Sequence, residues 1–204
     1  MKKKNDFILC TAYNRRYFQI GSVCEELLEE YCGRHGFQYY VERDENLSEG
    51  RPYPWAKIKV IRKLLRTYEW VFWLDADAFI IDFDFNIKDY LDENFDLIFA
   101  SDENGINTGV GFYRSSNRML QFLDEAWNCE YAINHIWWEQ KAIRDLLEKP
   151  NVNVKAKIIP AEPINVRPEK AIKGRDKIIH LCGGSNLSFK IKAAQRCREI
   201  SPMG

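Results

Sequence analysis

Asp75 and Asp77 stand two residues apart, directly after the apolar run Trp70-Val71-Phe72-Trp73-Leu74. Such a run, rich in aromatic and β-branched types, predicts a strand buried on both faces. Acids at the end of a buried strand need an explanation, because a carboxylate taken out of water without a partner is costly. Side chains two apart on a strand point the same way, so Asp75 and Asp77 can face one hard cation from one side. The chemistry this supports is a Mg²⁺ or Mn²⁺ site that holds a diphosphate; the plainer alternative is a pair of solvated turn acids. The best candidate for a third ligand is His180, which follows the short apolar stretch Lys177-Ile178-Ile179 and precedes Leu181-Cys182-Gly183-Gly184. Imidazole suits Mn²⁺ better than Mg²⁺. Gly183 and Gly184 would let backbone N–H groups approach phosphate closely. His35 and His135 have no comparable context.

The elements that must deliver these groups follow from hydrophobic periodicity. A first strand is expected over 6–12 and a helix over 17–32, with Ile20, Val23, Cys24, Leu27, Leu28, Tyr31 and Cys32 on one face and Gly33 and Gly36 bracketing its end. A second strand over 37–42 leads through a polar loop, 43–51, to a helix over 55–68 opened by Pro54. Strand 70–75 delivers the acid pair to the carboxyl edge of the sheet, where ligands gather in open α/β folds. Further strands are expected at 96–100, 109–114, 154–159 and 177–181, and helices at 116–128, 137–148 and 187–199. The early strand–helix alternation argues a single α/β domain over 1–204 around a mainly parallel sheet flanked by helices. About 1–101 form a nucleotide-binding half, and about 102–204 an acceptor half with a metal-binding C-terminal segment.

Composition narrows the class. At 204 residues the chain suits one well-buried domain, and 46% hydrophobic residues exclude whole-chain disorder. Lys and Arg equal Asp and Glu at 30 each, which argues against a nucleic-acid partner. The stretch Phe7-Ile8-Leu9-Cys10 is too short for a signal-peptide core or a membrane span. The cysteines at 10, 24, 32, 129, 182 and 197 show neither a CxxC pair nor zinc spacing, and are expected to be reduced thiols of a cytoplasmic protein.

The motifs together resemble GT-A fold glycosyltransferases that use nucleotide sugars. They resemble most the family of plant xyloglucan α-xylosyltransferases and yeast Golgi α-galactosyl- and α-mannosyltransferases. The resemblance is carried, in the family's order, by Trp55-Ala56-Lys57, Trp73-Leu74-Asp75-Ala76-Asp77-Ala78, Asn107-Thr108-Gly109, Glu139-Gln140 and His180-Leu181-Cys182-Gly183. It implies that Asp77 coordinates the metal, that Asp75 touches the metal or the ribose, and that His180 completes the site. It implies that Thr11, Ala12 and Tyr13 lie against the nucleobase and ribose, and Lys57 near the diphosphate or ribose. Asn107 and Gly109 should border the transferred sugar, and Glu139 and Gln140 should hold sugar hydroxyls of donor or acceptor. Trp137 and Trp138 are candidates to stack on acceptor sugars.

There are departures. Many relatives have Asp where Glu139 stands, and a Lys-Pro after the glycines where this chain reads Gly-Ser-Asn-Leu-Ser-Phe-Lys, so Lys190 is the candidate replacement at the diphosphate. The membrane anchor and stem of eukaryotic relatives have no counterpart here, from which a bacterial protein, or a viral protein in a host cell, is expected.

The resemblance implies transfer of a hexose or pentose, from a UDP-sugar, to a hydroxyl of a glycan or other acceptor, with Mn²⁺ or Mg²⁺ and with retention of configuration. The rivals are an inverting transferase with Glu139 as general base, a phosphohydrolase that uses the Asp pair, and a catalytically inactive sugar- or nucleotide-binding module.

Overall fold

The chain is described by a computed structural model over residues 5–183 and 186–202. Gly184 and the basic start, residues 1–4, lie outside the described residues. Strands β1 (Asn5–Ala12), β2 (Gln38–Glu42), β3 (Tyr68–Leu74), β5 (Leu97–Asp102), β6 (Gly105–Arg114) and β7 (Ala156–Pro160) form one sheet in the order β2-β1-β3-β6-β5-β7. A second, two-stranded sheet joins β4 (Ala78–Ile80) to β8 (Ile178–His180). The helices are α1 (Phe18–His35), α2 (Ala56–Leu64), α3 (Asn117–Trp127), α4 (Trp138–Leu147) and α5 (Leu187–Ile200).

Five strands of the large sheet run one way and β6 runs against them, so the sheet is mainly parallel. Its two faces are built by strict alternation. On β3, Trp70, Phe72 and Leu74 enter the core under α1 and α5, while Val71 and Trp73 enter the core under α2, α3 and α4. On β1, Phe7 and Leu9 join the first core and Ile8 and Cys10 the second. From Trp70 to Leu74 the strand is covered on both faces and carries no polar position, which is why that stretch reads as an unbroken apolar run.

The residues expected on the buried face of α1 are all buried. Gly33 is part of that helix rather than its end. The stop is Gly36, whose left-handed φ of 66° closes the C-terminus, a conformation that costs glycine little. The helix expected over 55–68 is shorter, because Pro54 sits in a preceding 3₁₀ turn and the regular α-helix runs only from Ala56 to Leu64. Strand β4 was not expected at all: Ala78–Ile80 is three residues long, too short for any periodicity.

The chain runs β1–α1–β2 over one face and β2–α2–β3 over the other, so the strand order reverses between β1 and β3, the place where ligands bind in open α/β sheets. β5 and β6 form a hairpin that turns at residues 103–104, which makes both halves of the chain share one sheet. Leu27 is fully buried in the core between α1 and the sheet. Leu27→Ala is expected to lower unfolding free energy by about 2–5 kcal/mol, read as a lower urea midpoint with an unchanged slope.

Candidate metal and donor site

β3 ends at Leu74 and the chain turns at once. The Asp75 N–H donates to the Gly109 carbonyl at 2.7 Å, and the Ala78 N–H donates to the Asp75 carbonyl at 2.8 Å. This turn, not alternation along a strand, aims Asp75 and Asp77 at one point. β4 then pairs antiparallel with β8, with Ala78 opposite His180, and the Leu181 N–H donates to the Asp77 carbonyl at 2.8 Å. The small sheet therefore brings a distant histidine beside the acid pair. His180 Nε2 lies 3.4 Å from Asp77 Oδ1 and 3.8 Å from Asp75 Oδ2. One ligand atom from each of the three residues falls within 4.8 Å of the others.

His180 is buried, and its Nδ1 lies 2.8 Å from Asn165 Oδ1. An amide oxygen only accepts, so Nδ1 donates to it and Nε2 is the ring nitrogen that faces the carboxylates. Asn165 gave no signal in the sequence; it arrives on the loop before Val166, whose carbonyl accepts the His180 N–H at 2.8 Å.

Gly109 faces the same point. A Cβ there would stand 2.1 Å from His180 Cε1 and 2.8 Å from Asp75 Oδ2, so only glycine leaves room for the three ligand atoms to converge. A register jump delivers it: Phe99 of β5 pairs with Gly111, but the next residue, Ala100, pairs with Asn107. Residues 108–110 are thus freed from the β5 ladder and bend toward β3. Two side chains hold the bend, since Asn107 Oδ1 accepts from the Gly109 N–H at 2.8 Å and Gln140 Oε1 accepts from the Thr108 N–H at 3.0 Å. Two carboxylates and one imidazole around a space kept clear of any Cβ are a donor set that fits Mn²⁺ or Mg²⁺, with positions left for phosphate oxygens.

Two lysines complete the electrostatics. Lys57 is 2% exposed, so neither a solvated role nor free reach toward a diphosphate describes it. Its Nζ lies 2.6 Å from Glu139 Oε1 and 3.0 Å from Asp75 Oδ1, and donates to the Thr108 carbonyl at 3.1 Å and to Thr108 Oγ1 at 3.3 Å. Burial pulls the Lys57 ammonium toward neutrality, but Asp75 and Glu139 outweigh it and raise its pKa. Glu139 is buried on α4. Burial pushes its carboxyl up, Lys57 opposes this, and the nearby Asp75 adds to it. Its Oε2 has no hydrogen-bond partner among the described residues. Lys190, on α5, places Nζ 2.6 Å from Asp77 Oδ2. Burial acts to raise the Asp77 carboxyl, but His180 and Lys190 outweigh it and hold it well below the usual carboxylate range.

The remaining expected residues lie around this cluster. Thr11 and Ala12 end β1, buried, and Cys24 Sγ lies 4.0 Å from Thr11 Oγ1 and 3.8 Å from the Asp75 carbonyl. Tyr13 is buried with its ring against Gly21, and its hydroxyl meets Glu25 and Arg43. Gly183 has a left-handed φ of 73° and open space where a Cβ would stand. Trp137 and Trp138 are both exposed immediately before Glu139, and Trp138 has φ 42°, a conformation rare for a bulky residue. Thr108 and Trp73 were not expected at the site, yet Thr108 binds Lys57 and the Trp73 indole N–H donates to Asp75 Oδ1 at 2.6 Å.

Residues 19–95 match the galactosyl transferase GMA12/MNN10 family, a span that includes Asp75 and Asp77 and ends before His180. A solved structure of a glycosyltransferase involved in the glycosylation of the major capsid of PBCV-1 superposes with a TM-score of 0.77 at 20% identity, covering 94% of this chain and 99% of that one. The fold is that of the GT-A glycosyltransferases. The galactosyltransferase LgtC, solved with donor and acceptor sugar analogs, shares the GT-A architecture with a TM-score of 0.63 at 12% identity, covering 95% of this chain and 94% of its own. An uncharacterized alpha-1,2-galactosyltransferase of Schizosaccharomyces pombe is 27% identical over 202 residues, covering 76% of this chain and 53% of that protein. The chain spans about half the length of the first curated relatives it matches, 53% and 48%. These matches bear out the resemblance and the fold expected from the motifs.

Two outcomes follow from the geometry. Gly109→Ala is expected to push His180 and Asp75 apart and to abolish any stabilisation by Mn²⁺ and nucleotide in a melting assay, while circular dichroism stays that of the parent. A carboxyl whose pKa is lowered by folding adds stability that is present above the unfolded value, about 4, and lost as pH falls toward the folded one. Asp77→Asn removes that contribution. The variant's unfolding free energy is therefore expected to fall less steeply than the parent's between about pH 5 and pH 2, measured by urea titration across that range.

Proposed function

We propose that this chain is the catalytic part of a metal-dependent glycosyltransferase. In this reading it moves a hexose or pentose from a nucleotide sugar, with UDP as the nucleotide, to a hydroxyl of a glycan or other acceptor. The observation that carries the proposal is the convergence of Asp75 Oδ2, Asp77 Oδ1 and His180 Nε2 at the carboxyl end of β3 within a GT-A fold. Support for a galactosyl or xylosyl donor comes from the sequence matches, which include a xyloglucan 6-xylosyltransferase of Arabidopsis thaliana, 31% identical over 123 residues. A cytoplasmic location belongs to the same proposal and rests on the sequence alone.

The residues have distinct tasks in this reading. Asp75, Asp77 and His180 would hold Mn²⁺ or Mg²⁺, which supplies electrostatic stabilisation to a departing diphosphate. The nucleoside binds at the switch point between the ends of β1 and β3, beside Thr11, Ala12 and Tyr13. Asn107 and Gln140 keep the Thr108–Gly109 backbone bent toward the reacting centre. Glu139 anchors Lys57 through Oε1 and offers Oε2 to a sugar hydroxyl. With its side chain 4% exposed and already paired, Glu139 suits that role better than the deprotonation of an acceptor arriving from solvent, which favours retention over inversion. The exposed Trp137 and Trp138 are suited to stack on acceptor sugar rings.

The test is nucleotide-sugar turnover with and without Mn²⁺, followed by proton NMR of the first-formed linkage. Mn²⁺-dependent transfer that retains the donor's anomeric configuration is expected, and Asp77→Ala should nearly abolish it in a folded protein. Transfer by folded Asp77→Ala at the parental rate would remove the metal assignment. An inverted product would promote Glu139 to general base, and Glu139→Gln would then lower the rate by about 10²–10⁴-fold.

A further inference from the structure

The two carboxylates of the candidate metal site are divided in the same way. Each turns one oxygen toward His180 Nε2, Asp75 through Oδ2 and Asp77 through Oδ1. Each gives its other oxygen to a buried ammonium, Asp75 Oδ1 to Lys57 and Asp77 Oδ2 to Lys190. The lysines thereby fix the carboxylate planes so that one oxygen from each points inward. They also offset most of the charge that would draw a cation in. With Glu139 also on Lys57, three carboxylates stand against two ammonium groups, so Lys190 lowers the cluster's negative charge from two to one, and among the described residues one ligand atom each from Asp75, Asp77 and His180 converges there. A divalent ion entering alone would gain little and would be repelled by both ammonium groups.

The lysines differ in how firmly they are held. Lys57 is bound by Asp75, Glu139 and both oxygens of Thr108, and serves as fixed framework. Lys190 Nζ has Asp77 as its one hydrogen-bond partner among the described residues, and lies 5.9 Å from the centre of the Tyr17 ring. It is thus the charge that can be altered without dismantling the neighbouring triad.

We infer that Lys190 is a positioning residue that makes divalent-cation binding at Asp75, Asp77 and His180 conditional on a nucleoside diphosphate. The inference rests on the proposed metal site. The diphosphate supplies the negative charge and the further oxygen ligands that the protein withholds. Cation and nucleotide then bind as a unit, and the free enzyme does not hold the ion in an unproductive state.

Mn²⁺ binding is measured directly, by the loss of the free-ion electron paramagnetic resonance signal, with and without UDP, for the parent, Lys190→Met and Lys190→Arg. The parent is expected to bind Mn²⁺ weakly alone and at least about tenfold more tightly with UDP. Lys190→Met is expected to bind Mn²⁺ alone about tenfold more tightly than the parent and to lose most of the gain from UDP. Lys190→Arg, which keeps the charge, should behave as the parent does. Melting curves establish that each variant is folded, and Lys190→Gln replaces the Met variant if that one is not. A folded neutral variant whose affinity for Mn²⁺ alone is unchanged or weaker overturns the inference and leaves the proposed function standing. A parent that takes up no Mn²⁺ even with UDP overturns both.

Discussion

The buried ammonium of Lys57 is the constraint on which the rest of the site depends. A charge withdrawn from water must be paired, and breaking such a pair by removing one partner leaves an uncompensated buried ion. Lys57 meets that demand from three directions: Asp75 beyond β3, Thr108 on β6 and Glu139 on α4. Each of these elements could slide or rotate on its own within an apolar core, because apolar packing is largely non-directional. The shared lysine removes that freedom. It sets where the end of β3 stands relative to α4, and so where the Asp75 carboxylate points.

Around that fixed point, the polar atoms are arranged in rings. Inner oxygens and one imidazole nitrogen face the space that Gly109 leaves open, while outer oxygens are taken by Lys57, Lys190 and the Trp73 indole. Farther out, Asn165 orients the imidazole. Such outer partners matter because a carboxylate or imidazole free to rotate loses its alignment and spends conformational entropy on binding. Regular structure supplies the support, and irregular structure makes the site. The turn after Leu74, the register jump in β6 and the left-handed Trp138 before Glu139 all lie at the chemistry rather than in the supporting layers.

The sequence alone determined much of the scaffold. The buried face of α1, the apolar β3 and the helices α3, α4 and α5 were legible because burial imposes periods of 3.6 and 2 on residue type, a local pattern that survives without knowledge of the partner. The acid pair was legible because two carboxylates after such a strand contradict burial unless something balances them. His180 and the Glu139-Gln140 pair were found by their motifs. What Lys57 and Lys190 touch was not legible: a lysine on a helix is ordinarily solvated, and only the packing of α2 and α5 against the sheet turns these two inward. Asn165, the three-residue β4 and the register jump that frees Gly109 were decided by tertiary structure alone. They rest on hydrogen bonds and pairings between segments far apart in the chain, and such long-range partners leave no periodic trace in the residues that make them.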